Sequence, residues 1–232
     1  MTAPPSTPID ATVTPEEAAD AAAAASDRAA AAASSAAPPP RAVPPSSAHL
    51  PVPQGPALAN AELRARVLKL IGSLKTARDT ESAHVAKVLD LPLGPDPADA
   101  DGRVVEGQLI GGGRYSVSVD TLYSDGPGRH VGIHWTPAGW KGDPRHPENA
   151  LTSCSLDFAP LSDDIAALGF SRAKSASLRK ERWGFRKDVP ANRITFYVGV
   201  YLYRAIDESD PKGRPCVLYI NIDADDAEVA DG

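Results

Sequence analysis

The sequence has few of the residues that usually carry chemistry. It contains two cysteines, one methionine and five histidines, and aromatic residues make up only 6% of its 232 residues. The cysteines form no C-x-x-C pair and no G-x-S-x-G segment is present, which argues against a redox dithiol, a zinc ribbon and a nucleophile elbow. No uninterrupted apolar run is long enough to span a membrane. These absences leave no motif that fixes an activity.

Large apolar side chains are almost absent from the first 56 residues. Twelve of the 23 prolines fall there, together with long alanine and serine runs. Such a segment cannot bury enough apolar surface to offset the entropy that it would lose on ordering. We therefore expect a disordered arm or tether over residues 1–56, a single domain over 57–222, and an acidic disordered tail over 223–232.

The net charge of −6 belongs to the two ends of the chain, because acids outnumber bases in both predicted tails and not in between. Seven bases fall within residues 172–187: Arg172, Lys174, Arg179, Lys180, Arg182, Arg186 and Lys187. This cluster is either a solvated loop beside a sheet edge or a basic surface for an acidic partner. No nucleic-acid-binding motif accompanies it, so we do not expect nucleic acid as the partner.

The clearest structural signal lies near the C-terminus. Residues 193–203 and 215–222 are rich in β-branched and aromatic side chains, and a charged segment with proline and glycine separates them. This pattern predicts an antiparallel hairpin. Alternation along the first strand places Tyr197, Tyr201 and Tyr203 on one face, opposite an apolar face.

Apolar spacing of three and four predicts a helix from Asn60, a second short helix near residues 80–89, and a third over 160–169, which Ser162 would cap. Four further strands are expected at 104–110, 114–123, 130–136 and 151–158. The resulting fold is α+β: an antiparallel sheet of about six or seven strands, with two N-terminal helices and one short inserted helix packed on one face.

Cys154 and Cys216 each lie inside a predicted strand. They either form a structural disulfide, which would imply an oxidising compartment, or remain two small buried thiols. The chain is correspondingly either cytoplasmic with a long arm, or periplasmic or envelope-tethered after removal of an export signal ahead of Met1.

Histidines offer one route to catalysis. A hydrolase that uses His130, His134, His146 or Cys154 would need several of these side chains within about 4 Å of each other in a cleft. On a strand, however, the spacing of His130 and His134 separates their rings by about 13 Å, too far to share one metal ion. We expect neither a metal nor a cofactor, and we lean against an enzyme.

Residues 151–170 resemble small α+β envelope proteins of Gram-negative bacteria. The similarity consists of the strand with its cysteine, the run Phe-Ala-Pro-Leu-Ser-Asp-Asp-Ile, and Leu-Gly-Phe after it. Some of these proteins are immunity proteins that occlude a toxic effector. The resemblance thus implies a non-enzymatic immunity or inhibitor protein whose partner is a protein such as a secreted toxin.

A binding surface follows if the helices cover only the apolar face, because the tyrosine face then meets solvent and tyrosine, tryptophan and arginine are typical of interfaces. The expected binding residues are Trp140, Arg179, Lys180, Arg182, Trp183, Arg186, Tyr197, Tyr201 and Tyr203. The same aromatic side chains are also consistent with packing inside the domain, or with an envelope module that binds glycans.

Overall fold

The described part of the chain folds as a mostly antiparallel sheet with three α-helices. The structure is a computed structural model that describes residues 51–121, 127–142, 149–174, 181–207 and 210–226. Most of the predicted arm, the end of the predicted acidic tail, and His146, Arg179 and Lys180 lie outside the described residues. Among the described residues, no helix combines the length and apolar character needed to cross a membrane.

The sheet has eight strands, one or two more than expected. They are β1 (Gly94–Pro95), β2 (Arg103–Gln108), β3 (Arg114–Asp120), β4 (His130–Thr136), β5 (Ser171–Lys174), β6 (Arg182–Val189), β7 (Ile194–Asp207) and β8 (Asp210–Asp226). Their spatial order is β1-β2-β3-β4-β8-β7-β6-β5, and all neighbours are antiparallel. The predicted C-terminal hairpin, β7–β8, therefore occupies the middle of the sheet.

The helices cover one face of this sheet, as expected. They are α1 (Asn60–Ser73), α2 (Ser82–Leu89) and α3 (Phe158–Ala167), with short 3₁₀ turns at Ala77–Thr80 and Pro190–Asn192. Leu63, Val67, Leu70 and Ile71 of α1 are buried because their spacing puts them on one side of the helix. They share one core with the apolar faces of the central strands.

The positions of the last strands and of α3 differ in part from the prediction. Residues 151–158 form only isolated bridges, Leu151 to Ala205 and Asp157 to Cys216, in place of a strand. The basic segment contains two strands, β5 and β6, because Trp183 and Phe185 alternate with glycine and arginine and can pair with β7. Ser162 does not cap α3: it is buried within that helix, where its Oγ accepts a hydrogen bond from Arg172.

Pairing with the sheet begins before residue 57. Gly55 N donates to the Glu106 carbonyl, Glu106 N donates to the Pro53 carbonyl, and Leu58 forms a parallel bridge with Leu109. At the other end, β8 continues to Asp226, four residues into the segment expected as an acidic tail, because these residues pair with the start of β7.

A second, smaller cluster lies on the face opposite the helices. Leu151, Tyr203, Ala205 and Cys216 are buried there, and Trp140 packs against them. Cys154 and Cys216 form a disulfide, with a Cα–Cα separation of 5.6 Å and an S–S distance of 2.02 Å. The disulfide reading of the two cysteines is therefore the one that the structure supports. It attaches the segment around residues 151–157 to one end of this face.

Candidate binding face

The remainder of the face opposite the helices is polar, and none of the described residues covers it. We call it the open face. Strand alternation produces it: on β3 the valines at 117 and 119 are buried, whereas Ser116 and Ser118 between them are partly exposed. The same alternation on β4, β8, β7 and β6 brings histidine, tyrosine, asparagine, aspartate and arginine side chains to this side.

Small residues form a row across the middle of the open face. In register, from β3 to β5, the row comprises Ser118, Gly132, Asn221, Gly199, Gly184 and Ala173. Three of the six positions are glycine, so larger side chains on either side can lean over the backbone. A Cβ atom on Gly199 would overlap Oδ1 of Asn221, which shows that this glycine is needed for the observed packing.

On one side of the glycine row, aromatic and cationic side chains stack in a line. His134 of β4 stacks on Tyr219 of β8, with ring centroids 4.1 Å apart. Tyr201 of β7 lies 5.4 Å from Tyr219, and the Arg182 guanidinium of β6 sits 5.0 Å from the centre of the Tyr201 ring. Each contact joins neighbouring strands, so the line is a direct product of strand register.

A second line lies on the other side of the glycine row. His130 of β4 contacts Asp223 of β8, Asp223 is in register with Tyr197 of β7, and Tyr197 is in register with Arg186 of β6. The Arg186 guanidinium lies 5.9 Å from the Tyr197 ring, and its Nε donates to Asp188. The two lines place an arginine–tyrosine pair on each side of the glycines Gly184 and Gly199.

A hydrogen-bonded chain connects the two lines over Gly132. His130 Nδ1 lies 2.5 Å from Asp223 Oδ1, and its Nε2 lies 2.8 Å from the Tyr219 hydroxyl. Asn221 Nδ2 donates to the other Asp223 oxygen. With Nδ1–H donated to Asp223, neutral His130 accepts a hydrogen bond from Tyr219.

These contacts shift the pKa of three side chains. The hydrogen bond to Asp223 raises the pKa of His130, and the negative charges of Asp223 and Asp120 act in the same direction. Burial raises the pKa of the Tyr219 hydroxyl far above its ordinary value. His134 keeps one side of its ring in water, but the stacked Tyr219 removes water from the other, and this burial lowers the pKa of His134. Tyr219 thus stays protonated and acts as a hydrogen-bonding group, not as a nucleophile.

Two polar atoms near Gly199 have no hydrogen-bond partner within the described segments. Oδ1 of Asn221, a residue only 5% exposed, is buried and unpaired, and so is Nε of Arg182. Both lie close to the position that a Cβ on Gly199 would occupy. One is an acceptor and the other a donor, and leaving such groups buried and unpaired is costly.

The open face also contains a cleft with a volume of about 670 Å³. Its lining includes the hydrogen-bonded chain of the open face and the side chains beside it: His130, Asp223, Tyr219, Tyr197, Tyr201 and Arg182. The cleft continues toward Asp225 and Asp226. Its size is in the range of sites that accept a side chain or small ligand.

The structure brings together four of the predicted binding residues: Arg182, Arg186, Tyr197 and Tyr201. Trp183 lies on the helix side, with its ring 5.4 Å from Phe158, because it alternates with Arg182 along β6. Trp140 and Tyr203 pack edge to face, 5.8 Å apart, in the second cluster. Tyr203 shares the face of Tyr201 as predicted, but it is only 4% exposed because the segment around residue 151 covers that end.

Three members of the site were absent from the predicted binding residues: Tyr219, Asn221 and Asp223. Alternation along residues 215–222 places Tyr219 and Asn221 on one face, so this signal was available in the sequence. Their register against Tyr201 and Gly199 was not, and Asp223 was assigned to the tail. The site therefore depends on pairing between β4 and β8, which are more than 70 residues apart along the chain.

Of the four candidate residues for a hydrolase, the structure describes His130, His134 and Cys154, and His146 lies outside the described residues. His130 and His134 both contact Tyr219, but the Cys154 sulfur is bonded to Cys216 and is not available as a thiolate nucleophile. Asp157 lies near this disulfide, and the three groups have ligand atoms within 4.8 Å of one another. Because both sulfurs are engaged in the disulfide, this group does not offer the thiolates that a metal ion needs.

Comparisons with protein-family models, curated proteins and solved structures find no match for this chain.

Proposed function

We propose that this protein is a non-enzymatic protein-binding module whose open face covers a functional site of its partner. The observation that carries the proposal is the pair of aromatic and cationic lines that cross four strands, on a face that no helix of the described residues covers. The other face of the sheet is filled by α1, α2 and α3, so the open face is the side with unused contact surface.

The composition of the open face supports recognition of a protein. Tyrosine and arginine are enriched among residues that dominate binding energy, because they bury large areas at low entropic cost and also form hydrogen bonds. Here their side chains are held in place by stacking and by the chain from Asp223 to Tyr219. Such preorganisation reduces the entropy that binding would otherwise cost.

We further propose an immunity or inhibitor role, acting by occlusion of a toxic effector. The support is the resemblance of residues 151–170 to envelope proteins of that type, together with a face suited to binding and not to chemistry. A periplasmic or envelope location fits this role, and the Cys154–Cys216 disulfide is compatible with an oxidising compartment.

A site-specific photo-crosslinking experiment in the producing cell tests this function. A benzophenone amino acid replaces Tyr201 on the open face in one variant. In the matched control it replaces Ile110, which is 62% exposed in the β2–β3 turn. We expect one protein to crosslink to position 201 and not to position 110, and the same protein to lose its toxic activity when the unmodified chain is added in excess.

The proposal fails if position 201 yields no protein adduct, or if both positions yield the same set of adducts. A specific adduct with a partner whose activity is unaffected by binding would retain the binding role and remove the inhibitor role. A saccharide adduct at position 201 would favour the glycan-binding alternative.

A further inference from the structure

The open face contains a two-strand arrangement that suits one particular group of a partner. On β6, Arg182, Gly184 and Arg186 point to this face, and on β7 the residues directly opposite are Tyr201, Gly199 and Tyr197. The glycine pair Gly184–Gly199 thus lies between two arginine–tyrosine pairs. The space above Gly184 is open, because the nearest atom to a Cβ placed there is the Ala173 carbonyl oxygen at 3.9 Å.

The two arginines differ in their pairing. Arg186 already donates to Asp188, which also accepts a hydrogen bond from Thr195. Arg182 is partly buried beside Tyr201, has no ion-pair partner among the described residues, and carries an Nε without a hydrogen-bond acceptor. By contrast, Arg204 of β7 forms two hydrogen bonds with Glu181.

The negative groups nearby do not neutralise Arg182. Asp223 is engaged by His130 and Asn221, and Asp188 is engaged by Arg186 and Thr195. Asp225 lies opposite Thr195, which precedes Tyr197 by two residues on β7. Gly199 separates this end of the strand from Tyr201 and Arg182. Arg182 is therefore a partly buried cation that has no matching anion among the described residues.

We infer that Arg182 anchors a carboxylate side chain, Asp or Glu, of the protein partner, which lies over Gly184 between the two arginine–tyrosine pairs. This inference rests on the proposed function and specifies the chemistry of its partner. A carboxylate matches the planar donors of a guanidinium, and the Nη groups of Arg182 would supply them. The tyrosine rings exclude water at both sides, which strengthens such an ion pair. The partner is accordingly expected to present an acidic segment.

The test uses the full chain and short oligo-L-glutamate as the probe, with oligo-L-glutamine as the uncharged control. Binding is followed by NMR through the arginine Nε–Hε cross-peaks. We expect saturable binding that shifts the Arg182 cross-peak. Arg182→Gln should weaken binding about tenfold or more, the effect of losing a hydrogen-bonded charge. Arg114→Gln removes the same charge from an exposed position on β3 of the same face and should change the affinity less than about twofold.

A third variant separates shape from charge. Gly184→Val fills the open space above residue 184 but keeps both arginines, and it should abolish the shift of the Arg182 cross-peak. Its unfolding curve and those of the two Gln variants are recorded alongside, so that a loss of binding is assigned only to folded protein.

The inference is overturned if oligo-L-glutamate does not bind, if the Arg182 and Arg114 variants weaken binding equally, or if inorganic tripolyphosphate binds more tightly at the same cross-peak. The last result would indicate a phosphate-bearing ligand in place of an acidic protein segment. Failure of the proposed function gives a different result, since crosslinking at position 201 would then capture no protein. If crosslinking succeeds and Arg182→Gln leaves capture unchanged, the binding function stands and the carboxylate anchor is wrong.

Discussion

His130 Nδ1 lies 2.5 Å from Asp223 Oδ1, and this contact joins residues 93 positions apart in the chain. It fixes the imidazole so that its other nitrogen meets the Tyr219 hydroxyl. The open face thus depends on a charged hydrogen bond between β4 and the last strand of the sheet.

The two histidines of β4 should titrate in a defined order. Because Asp223 raises the pKa of His130 and burial lowers that of His134, we expect His130 to titrate above the ordinary histidine pKa of 6.5 and His134 below it. NMR titration of the ring carbons measures both values. Asp223→Asn should lower the pKa of His130 and leave that of His134 nearly unchanged; a common midpoint for both rings would contradict the structure.

The same pair makes stability depend on pH. A raised pKa in the folded state means that the contribution of His130 to the free energy of unfolding is fully present below pH 6.5 and is lost as pH rises through the folded-state pKa. The contribution of His134 has the opposite pH dependence: it is present above pH 6.5 and is lost as pH falls through the lowered folded-state pKa. Urea unfolding at a series of pH values should therefore show a loss on the alkaline side that Asp223→Asn removes.

Two neighbouring glycines should respond differently to the same substitution. Gly199→Ala would push a methyl group into Asn221 Oδ1 and toward Arg182, and we expect it to lower the free energy of unfolding by about 1–3 kcal/mol. Gly184→Ala meets only the Ala173 carbonyl at 3.9 Å, so its effect should stay within about 0.5 kcal/mol. Equal effects in urea unfolding would show that Asn221 does not occupy the space above Gly199.

The Cys154–Cys216 disulfide should stabilise the domain and hold the second cluster in place. It closes a loop with a sequence separation of 62 residues, for which replacing both cysteines with serine is expected to cost about 2–4 kcal/mol. Amide hydrogen exchange should then increase around residues 151–157 and less in β3 and β4. Thiol titration of the denatured, unreduced protein should find no free thiol; two free thiols would remove the basis of this prediction.

The segment before α1 should open more often from the sheet when the Tyr115 hydroxyl is removed. Tyr115 is buried and its hydroxyl donates to the Pro56 carbonyl over 2.8 Å. Tyr115→Phe keeps the ring and leaves that carbonyl unpaired, at a cost of about 1 kcal/mol. Hydrogen exchange of Gly55 and Leu58, whose amides bond to β2, should accelerate while that of Val117 does not; uniform acceleration would mean that the whole domain is destabilised.

Local pattern was enough to predict much of the fold. Helical spacing of leucine and valine identified α1, and period-two alternation identified β3, β4 and the β7–β8 hairpin, because both signals are contained within one element. Gly111 to Gly113 all adopt positive φ in the turn between β2 and β3, a conformation that glycine adopts readily. The prediction was wrong where the local signal is weak. Residues 151–158 were expected as a strand and form none, and β5 and β6 lie in the basic cluster, where no strand was expected.

Long-range register decided the site. From the sequence, these side chains had no reason to meet. His130 and His134 were candidates for catalysis, Tyr219 was part of a predicted strand, and Arg182 belonged to the basic cluster. Pairing of β4 with β8, β8 with β7 and β7 with β6 places them side by side. A shift of one residue in any of these pairings would turn one partner to the opposite face.

The amino-acid sequence by itself therefore determined the three helices, β2 to β4 and the β7–β8 hairpin, and which side of each of these strands is apolar, since those properties follow from neighbours a few positions apart. The tertiary structure alone decided that Gly184, Gly199 and Gly132 line up with Asn221, that Asp223 reaches His130, and that the disulfide segment covers Tyr203. These are contacts between strands far apart in the chain, and their geometry is set by packing of the whole sheet against the helices, which no local pattern encodes.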